Sequence, residues 1–160
     1  MRIAVVTTGG TIDKVYFDAK GGYEVGAPMV RQILANARVL ADIDVIEVLR
    51  KDSLEMTAED RATIRDAVAT CEATRVVVTH GTDTMVETAA ELRAVAAKTI
   101  VLTGALQPGR FSDSDAPFNL GMALAAAQVQ PPGVYIAANG RIFEAARVRK
   151  NREQNRFEPI

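Results

Sequence analysis

The sequence predicts an α/β fold built on an open, mostly parallel sheet of about five strands with helices on both faces. Three observations predict it. Short β-branched runs alternate with segments of helical periodicity along the whole chain, the pattern of strand–helix–strand units. The runs are apolar almost throughout and show no period-2 alternation, as expected of strands covered on both faces. Glycine, threonine and aspartate cluster directly after the runs, where open parallel sheets bind their ligands. A Rossmann-like arrangement with a C-terminal hairpin satisfies all three.

The strands are expected at Ile3 to Thr8, Val45 to Leu49, Arg75 to Thr79, Thr99 to Leu102 and Val134 to Ala138. Pro28 suits the first turn of a helix running to about Val39, because its missing N–H would be unpaired there anyway. Thr57 and Asp60 form a capping-box variant ahead of a second helix, whose Ile64, Ala67, Val68 and Cys71 make one apolar stripe. Further helices are expected from about Thr84 to Ala97 and from Pro117 to Ala127. Asn139-Gly140 signals a hairpin turn after the last strand. Arg141, Arg147, Arg149, Lys150, Arg152 and Arg156 then crowd sixteen residues. Apart from Lys150, they read as a solvated basic edge. No repeat, low-complexity tract or linker divides residues 1–160, so a single domain is expected.

A chain of 160 residues is long enough for one domain to bury roughly 70% of its unfolded surface. Hydrophobic residues at 48% and charged residues at 24% are an ordinary globular balance. The net charge of -1 supplies no global field to recruit nucleic acid or an anionic membrane. No apolar run approaches the ~18 residues of a membrane span. The apolar run at the N-terminus reaches Gly9-Gly10 too soon for a signal peptide. Cys71 is the only cysteine, so no internal disulfide forms. Cytoplasm is the default address. No Cys/His cluster offers a metal site, and no cofactor is expected.

Four strand ends carry the chemistry. The first delivers Thr7-Thr8-Gly9-Gly10-Thr11, and the second is followed by Lys51-Asp52-Ser53. The third delivers Thr79-His80-Gly81-Thr82-Asp83-Thr84, and the fourth Thr103-Gly104-Ala105. Taken singly, Gly9-Gly10 serves a tight turn, Thr82-Asp83 caps a helix and His80 braces a loop. Taken together, they describe a site. Dinucleotide and phosphate fingerprints are absent, and no helical pattern starts directly after Gly9-Gly10. The next stretch, Ile12 to Gly26, is a polar, glycine-containing loop with the character of a mobile lid.

Thr8-Gly9-Gly10-Thr11-Ile12 is similar to the first signature of the bacterial-type L-asparaginase family, and His80-Gly81-Thr82-Asp83-Thr84-Met85 to its second. Leu102-Thr103-Gly104-Ala105, Asp115 to Leu120, and the turn at Ser53 and Met56 resemble further segments of it. The resemblance covers nearly the whole chain but only the amino-terminal catalytic domain of the usual enzyme. It implies hydrolysis of the side-chain amide of L-asparagine to aspartate and ammonia. Thr11 corresponds to the nucleophile and Tyr23 to its accompanying tyrosine, with Tyr16 an alternative on the same loop. Thr82, Asp83 and Lys150 correspond to the catalytic threonine, aspartate and lysine. Ser53 and Asp83 would bind the α-carboxylate and α-ammonium, Gly10 and Gly81 would line the substrate, and Ala105 would meet the amide through its backbone.

That assignment makes chemical sense. A threonine hydroxyl needs a base or a depressed pKa to attack an amide, and Lys150 held by Asp83 answers that need. Backbone N–H groups near Gly81-Thr82 are candidates for the oxyanion. Two departures from the family stand out. Leu54 follows Ser53 where many relatives carry a polar residue, and the usual second domain is absent. The ending Arg156-Phe157-Glu158-Pro159-Ile160 reads as that of a short-chain form and not a fragment. An amidase acting on glutamine or another amide is the alternative within enzymes. A non-catalytic amino-acid-binding module is the alternative outside them, but it would not need Thr11, Thr82 and Lys150 together. The apolar helix around Met122 to Ala127, or the basic hairpin, is expected in a homo-oligomer interface of at least a dimer.

Overall fold

In the computed structural model, which describes residues 1–160, strand and helix alternate as the periodicity requires. The elements run β1 (Arg2–Gly9), β2 (Lys14–Phe17), β3 (Gly22–Val25), α1 (Val30–Asn36), β4 (Asp42–Lys51), α2 (Ala58–Thr70) and β5 (Arg75–Thr79). Next come α3 (Met85–Leu92), β6 (Thr99–Thr103), α4 (Ala116–Val129), β7 (Gly133–Ala138), β8 (Arg141–Glu144), β9 (Val148–Asn151) and β10 (Arg156–Pro159). Six strands form one sheet in the order β4-β1-β5-β6-β7-β8. All neighbours pair in parallel except β7 and β8. The five expected strands are all present. The sixth, β8, returns from the Asn139-Gly140 turn, both of whose residues are left-handed, with φ of 53° and 74°. A separate antiparallel hairpin, β9–β10, ends the chain.

Successive side chains of a strand point to opposite faces, and here both faces are buried. Ala4, Val6, Val76, Val78, Ile100 and Leu102 pack with Ile64 and Val68 of α2 and with Met85, Ala89 and Leu92 of α3. Ile3, Val5, Val77 and Val101 pack on the other side with Val30 and Ile33 of α1 and Leu120 and Ala123 of α4. This double burial is why the central strands read as continuous apolar runs.

The helices differ from expectation at their ends, each time for a local reason. Pro28 lies ahead of α1 and not inside its first turn, because Met29 caps the helix and gives its N–H to the Asp13 carboxylate at 2.8 Å. The helix stops at Asn36, short of Val39. Arg38 turns left-handed at φ 52°, and the bonds Arg38 N to Ala35 O and Val39 N to Leu34 O complete a Schellman ending without glycine. In α3 the last turn tightens, with Val95 N bonding Leu92 O, and Ala97 is left-handed at φ 60°. The capping box of α2 forms as expected: Asp60 N donates to Thr57 Oγ1 at 3.2 Å and Thr57 N to Asp60 Oδ2 at 2.9 Å.

The segment expected as a loop from Ile12 to Gly26 is ordered into the β2–β3 hairpin, with a short 3-10 turn at Asp18–Lys20. Tyr16 and Tyr23 face each other across it, rings 5.5 Å apart. Cross-strand aromatic pairing stabilises such a ribbon. At its base, Gly26 N bonds the Asp13 carbonyl at 2.8 Å.

His80, where β5 ends, is fully buried. Its Nδ1 lies 2.7 Å from the Gly81 carbonyl and its Nε2 2.8 Å from Thr88 Oγ1. A carbonyl only accepts, so Nδ1 carries the proton and Nε2 accepts from the Thr88 hydroxyl. Burial holds this imidazole down at about 4, so it is neutral and braces the loop. In the unfolded chain it protonates near 6.5. Stability is therefore unaffected by His80 above pH 6.5 and is lost as pH falls from 6.5 towards 4, by about 3 kcal/mol. Burial pushes Asp13 the other way, up to about 6, so acidification relieves its penalty over a similar range. Comparison with a His80→Gln variant separates the two. The advantage of the native protein over this variant in urea unfolding should shrink by about 3 kcal/mol between pH 7 and pH 4. A constant difference would mean that His80 titrates as a free histidine.

Candidate active site

The chain runs from β1 out to β4 and returns to β5 on the opposite side of β1. This reversal opens a crevice at the carboxyl ends of these strands, and the candidate residues stand there. Gly10 N donates to the Lys51 carbonyl at 2.9 Å, tying the end of β1 to the end of β4. Gly10 has φ 87°, and a Cβ on it would lie 2.6 Å from the Gly81 Cα. A Cβ on Gly81 would lie 2.6 Å from Ser53 Oγ. The exits of β1, β5 and β4 are thus in direct contact, with no room for a side chain between them.

Ser53 is buried, and its hydroxyl has no hydrogen-bond partner in the chain. Its carbonyl is occupied, accepting from Thr84 Oγ1 at 2.7 Å. A buried hydroxyl without a partner is costly unless a ligand satisfies it. Thr82 and Asp83 do not cap α3 with their side chains; its cap position is Thr84, which makes no side-chain cap bond. Instead, Lys150 Nζ of β9 donates to Thr82 Oγ1 at 3.1 Å and to Asn155 Oδ1 at 2.9 Å, and lies 5.0 Å from the centre of the Phe157 ring. Partial burial pulls the Lys150 amine below its ordinary range, while the nearby Asp83 carboxylate pulls the other way.

Thr11 begins a 3-10 turn, Thr11–Asp13, immediately after Gly10 and is half-buried. Ala105 is buried on the loop after β6. That loop is shaped by two residues whose roles the sequence did not disclose. The Asp115 carboxylate accepts from Leu106 N at 3.0 Å and Gln107 N at 3.1 Å, and Asn119 Nδ2 donates to the Gly104 carbonyl at 2.9 Å. Tyr23 stays at the rim, 51% exposed, with its ring 6.2 Å from that of Phe111. The structure therefore gathers Gly10, Gly81 and Ser53 into one contact and joins Lys150 to Thr82 in another, with the Asp83 carboxylate near the amine but not in the ion pair that the sequence predicts. Tyr23 joins neither. An uncharged amine beside a hydroxyl can take its proton, and an adjacent carboxylate stabilises the cation that results.

Two glycines with positive φ separate backbone strain from crowding. Gly10→Ala meets both, whereas Gly21, at φ 62°, has open space where its Cβ would stand. Gly21→Ala should cost about 1 kcal/mol in thermal unfolding, and Gly10→Ala well over 2 kcal/mol. Equal losses would show that the contact with Gly81 is unimportant.

The sequence matches the family described as Asparaginase, N-terminal, over residues 2–158. It is 35% identical to the L-asparaginase of Thermococcus kodakarensis over 94% of this chain and 48% of that protein. It is 34% identical to the glutaminase-asparaginase of Acinetobacter glutaminasificans over 93% of this chain and 49% of that protein. The solved thermostable L-asparaginase from Thermococcus kodakarensis superposes with a TM-score of 0.86, covering 100% of this chain and 51% of that one at 34% identity. The chain spans about half the length of these relatives. A family match over nearly every residue, on the same fold, has one reading: the chain belongs to the asparaginase family and corresponds to its amino-terminal domain.

Proposed function

We propose that the protein hydrolyses the side-chain amide of L-asparagine to L-aspartate and ammonia through a threonine acyl-enzyme. The observation that carries this reading is the Lys150 amine 3.1 Å from the Thr82 hydroxyl, near Asp83, while Thr11 follows Gly10, whose backbone meets that of Gly81 next to Thr82. In this reading the Thr11 hydroxyl attacks the amide carbon, and its proton passes to the Thr82–Lys150 pair. The tetrahedral oxyanion accepts from backbone N–H groups near Gly81 and Thr82, and Ala105 meets the amide through its backbone. The proton held by Lys150 then leaves with ammonia, and water releases aspartate. Ser53 and Asp83 hold the α-carboxylate and α-ammonium, and Gly10 and Gly81 line the substrate. Tyr23 moves from the rim towards Thr11 when substrate binds, Tyr16 being its alternative.

Leu54, 65% exposed next to buried Ser53, favours one variation. An apolar side chain there supplies no hydrogen bond to distinguish asparagine from glutamine or a larger amide. Assembly and location belong to the same proposal. Ala123, Leu124, Ala126 and Ala127 of α4 are buried within the chain, so most of that helix's apolar character is explained without a partner. Phe118 and Val129, 65% and 75% exposed on its outer side, support a homo-oligomer of at least two copies. A single unpaired cysteine, Cys71, fits the cytoplasm.

The purified protein should release ammonia from asparagine, and Thr11→Val should lower turnover by several orders of magnitude while melting unchanged. Residual turnover within about tenfold, a loss of only ~1.4 kcal/mol, would remove Thr11 from the role of nucleophile. Asp83→Asn should reduce both affinity and turnover, whereas Ser53→Ala should act mainly on affinity. Small and equal effects of the two would put the substrate elsewhere.

A further inference from the structure

The basic crowd at the end of the chain is not uniformly solvated. The turn between β9 and β10 is closed by Gln154 N on Asn151 Oδ1 at 3.0 Å and Asn155 N on the Arg152 carbonyl at 3.3 Å. Two of its side chains leave the turn, one to Lys150 of β9 and the other to the loop after β5. Asn155 Oδ1 accepts from Lys150 Nζ at 2.9 Å, and Arg152 Nη2 donates to the Asp83 carbonyl at 3.3 Å. Asn155 itself is left-handed, at φ 47°, a conformation that asparagine tolerates better than most residues. Every polar contact of this turn with the site therefore falls on the Thr82–Asp83–Lys150 group.

Resting on the amidohydrolase reading above, we propose that Asn155 and Arg152 are positioning residues for the proton transfer at Thr82. The Asn155 amide oxygen fixes the amine of Lys150, and the Arg152 guanidinium pins the loop that presents the hydroxyl.

The amide contact works in both protonation states. As an ammonium, Lys150 donates to Thr82 and to Asn155. As an amine it keeps an N–H for the Asn155 oxygen, which turns its lone pair towards Thr82 to accept the hydroxyl proton. Charge decides how often it is an amine. Burial disfavours the ammonium most, and Arg152 disfavours it further, while Asp83 and Asp115 favour it. A cavity of about 560 Å³ beside Lys150 also brings Glu87 of α3 and Glu153 of the turn near it. Arg149 and Glu158, on the same wall, are already paired at 2.9 Å. Arg152 is thus a cation that adds to burial in keeping Lys150 able to accept, and Asn155 is the neutral group that aims it.

The test compares Arg152→Gln, Asn155→Gly and Asn155→Asp with the native protein. Asn155→Gly keeps the left-handed turn and deletes only the amide. The rise of kcat/KM for asparagine with pH should move upward in Arg152→Gln by a few tenths of a unit to about one unit, and less in high salt. Asn155→Asp should move it further, because a carboxylate stabilises the ammonium. Asn155→Gly should lower kcat about tenfold with KM within about twofold. The same Lys150 titration, followed by NMR of lysine labelled at Cε, gives a readout independent of turnover. An unmoved titration in Arg152→Gln, or full activity of Asn155→Gly, overturns the proposal. Shifted titrations in a protein that releases no ammonia would uphold the positioning of Lys150 and reject the amidohydrolase reading.

Discussion

The contact between the backbones of Gly10 and Gly81, backed by Ser53 against Gly81, is the constraint on which the rest of the site depends. Residues on separate strands seldom come this close, because any side chain would intervene. With no side chain between them, the ends of β1, β4 and β5 meet, and each contributes a different polar group. From β1 comes a hydroxyl on a turn, from β4 a buried hydroxyl without a partner, and from β5 the hydroxyl that meets Lys150. Topology puts these ends side by side, but only the glycines let them touch. A doubly covered sheet then holds the arrangement rigid, since shifting one strand would disturb packing on both faces.

Around that contact, buried polar groups take the place of a second layer of packing. Neutral His80 bonds Gly81 and α3 together, so the orientation of the loop is coupled to the core. Asp13 accepts from Met29 N and gives its carbonyl to Gly26, joining the turn that carries Thr11 to both the hairpin and α1. Lys14 pairs with Asp52 at 2.9 Å, linking the same hairpin to the end of β4. Asp115 and Asn119 do the equivalent for the loop that holds Ala105. Each of these loops is thus set by a specific bond to a neighbouring element, which is how short polar segments become precise enough for chemistry. The aromatic hairpin is the looser part, resting on stacking at an exposed rim.

Much of this is legible in the sequence, and the reasons for the rest are local. Strands β1, β5, β6 and β7 announce themselves because burial on both faces leaves a continuous apolar run. Strand β8 is announced only by the Asn139-Gly140 turn before it, since Arg141-Ile142-Phe143-Glu144 lies at the sheet edge and only Phe143 is buried. Helix α1 hides its end because Arg38 takes the left-handed place where glycine is the usual signal. The β2–β3 hairpin reads as loop because its strands are four residues each and none of their residues is buried. Thr82 and Lys150 can be named by resemblance, but Asn155 cannot. Nothing about an asparagine among charged residues discloses that its backbone is left-handed and its amide faces a lysine.

The central claim is that three strand ends joined at glycine form a site where a threonine becomes covalently acylated. It is tested most directly by mixing the protein with asparagine, quenching in acid during turnover and mapping covalent adducts by mass spectrometry. Trypsin separates the candidates, releasing Thr11 on the peptide Ile3–Lys14 and Thr82 on Val76–Arg93. The account predicts an aspartyl ester on the first peptide, localised by fragmentation to Thr11 and absent from Thr11→Val. An ester on Val76–Arg93, or sustained ammonia release with no ester on either peptide, would contradict it.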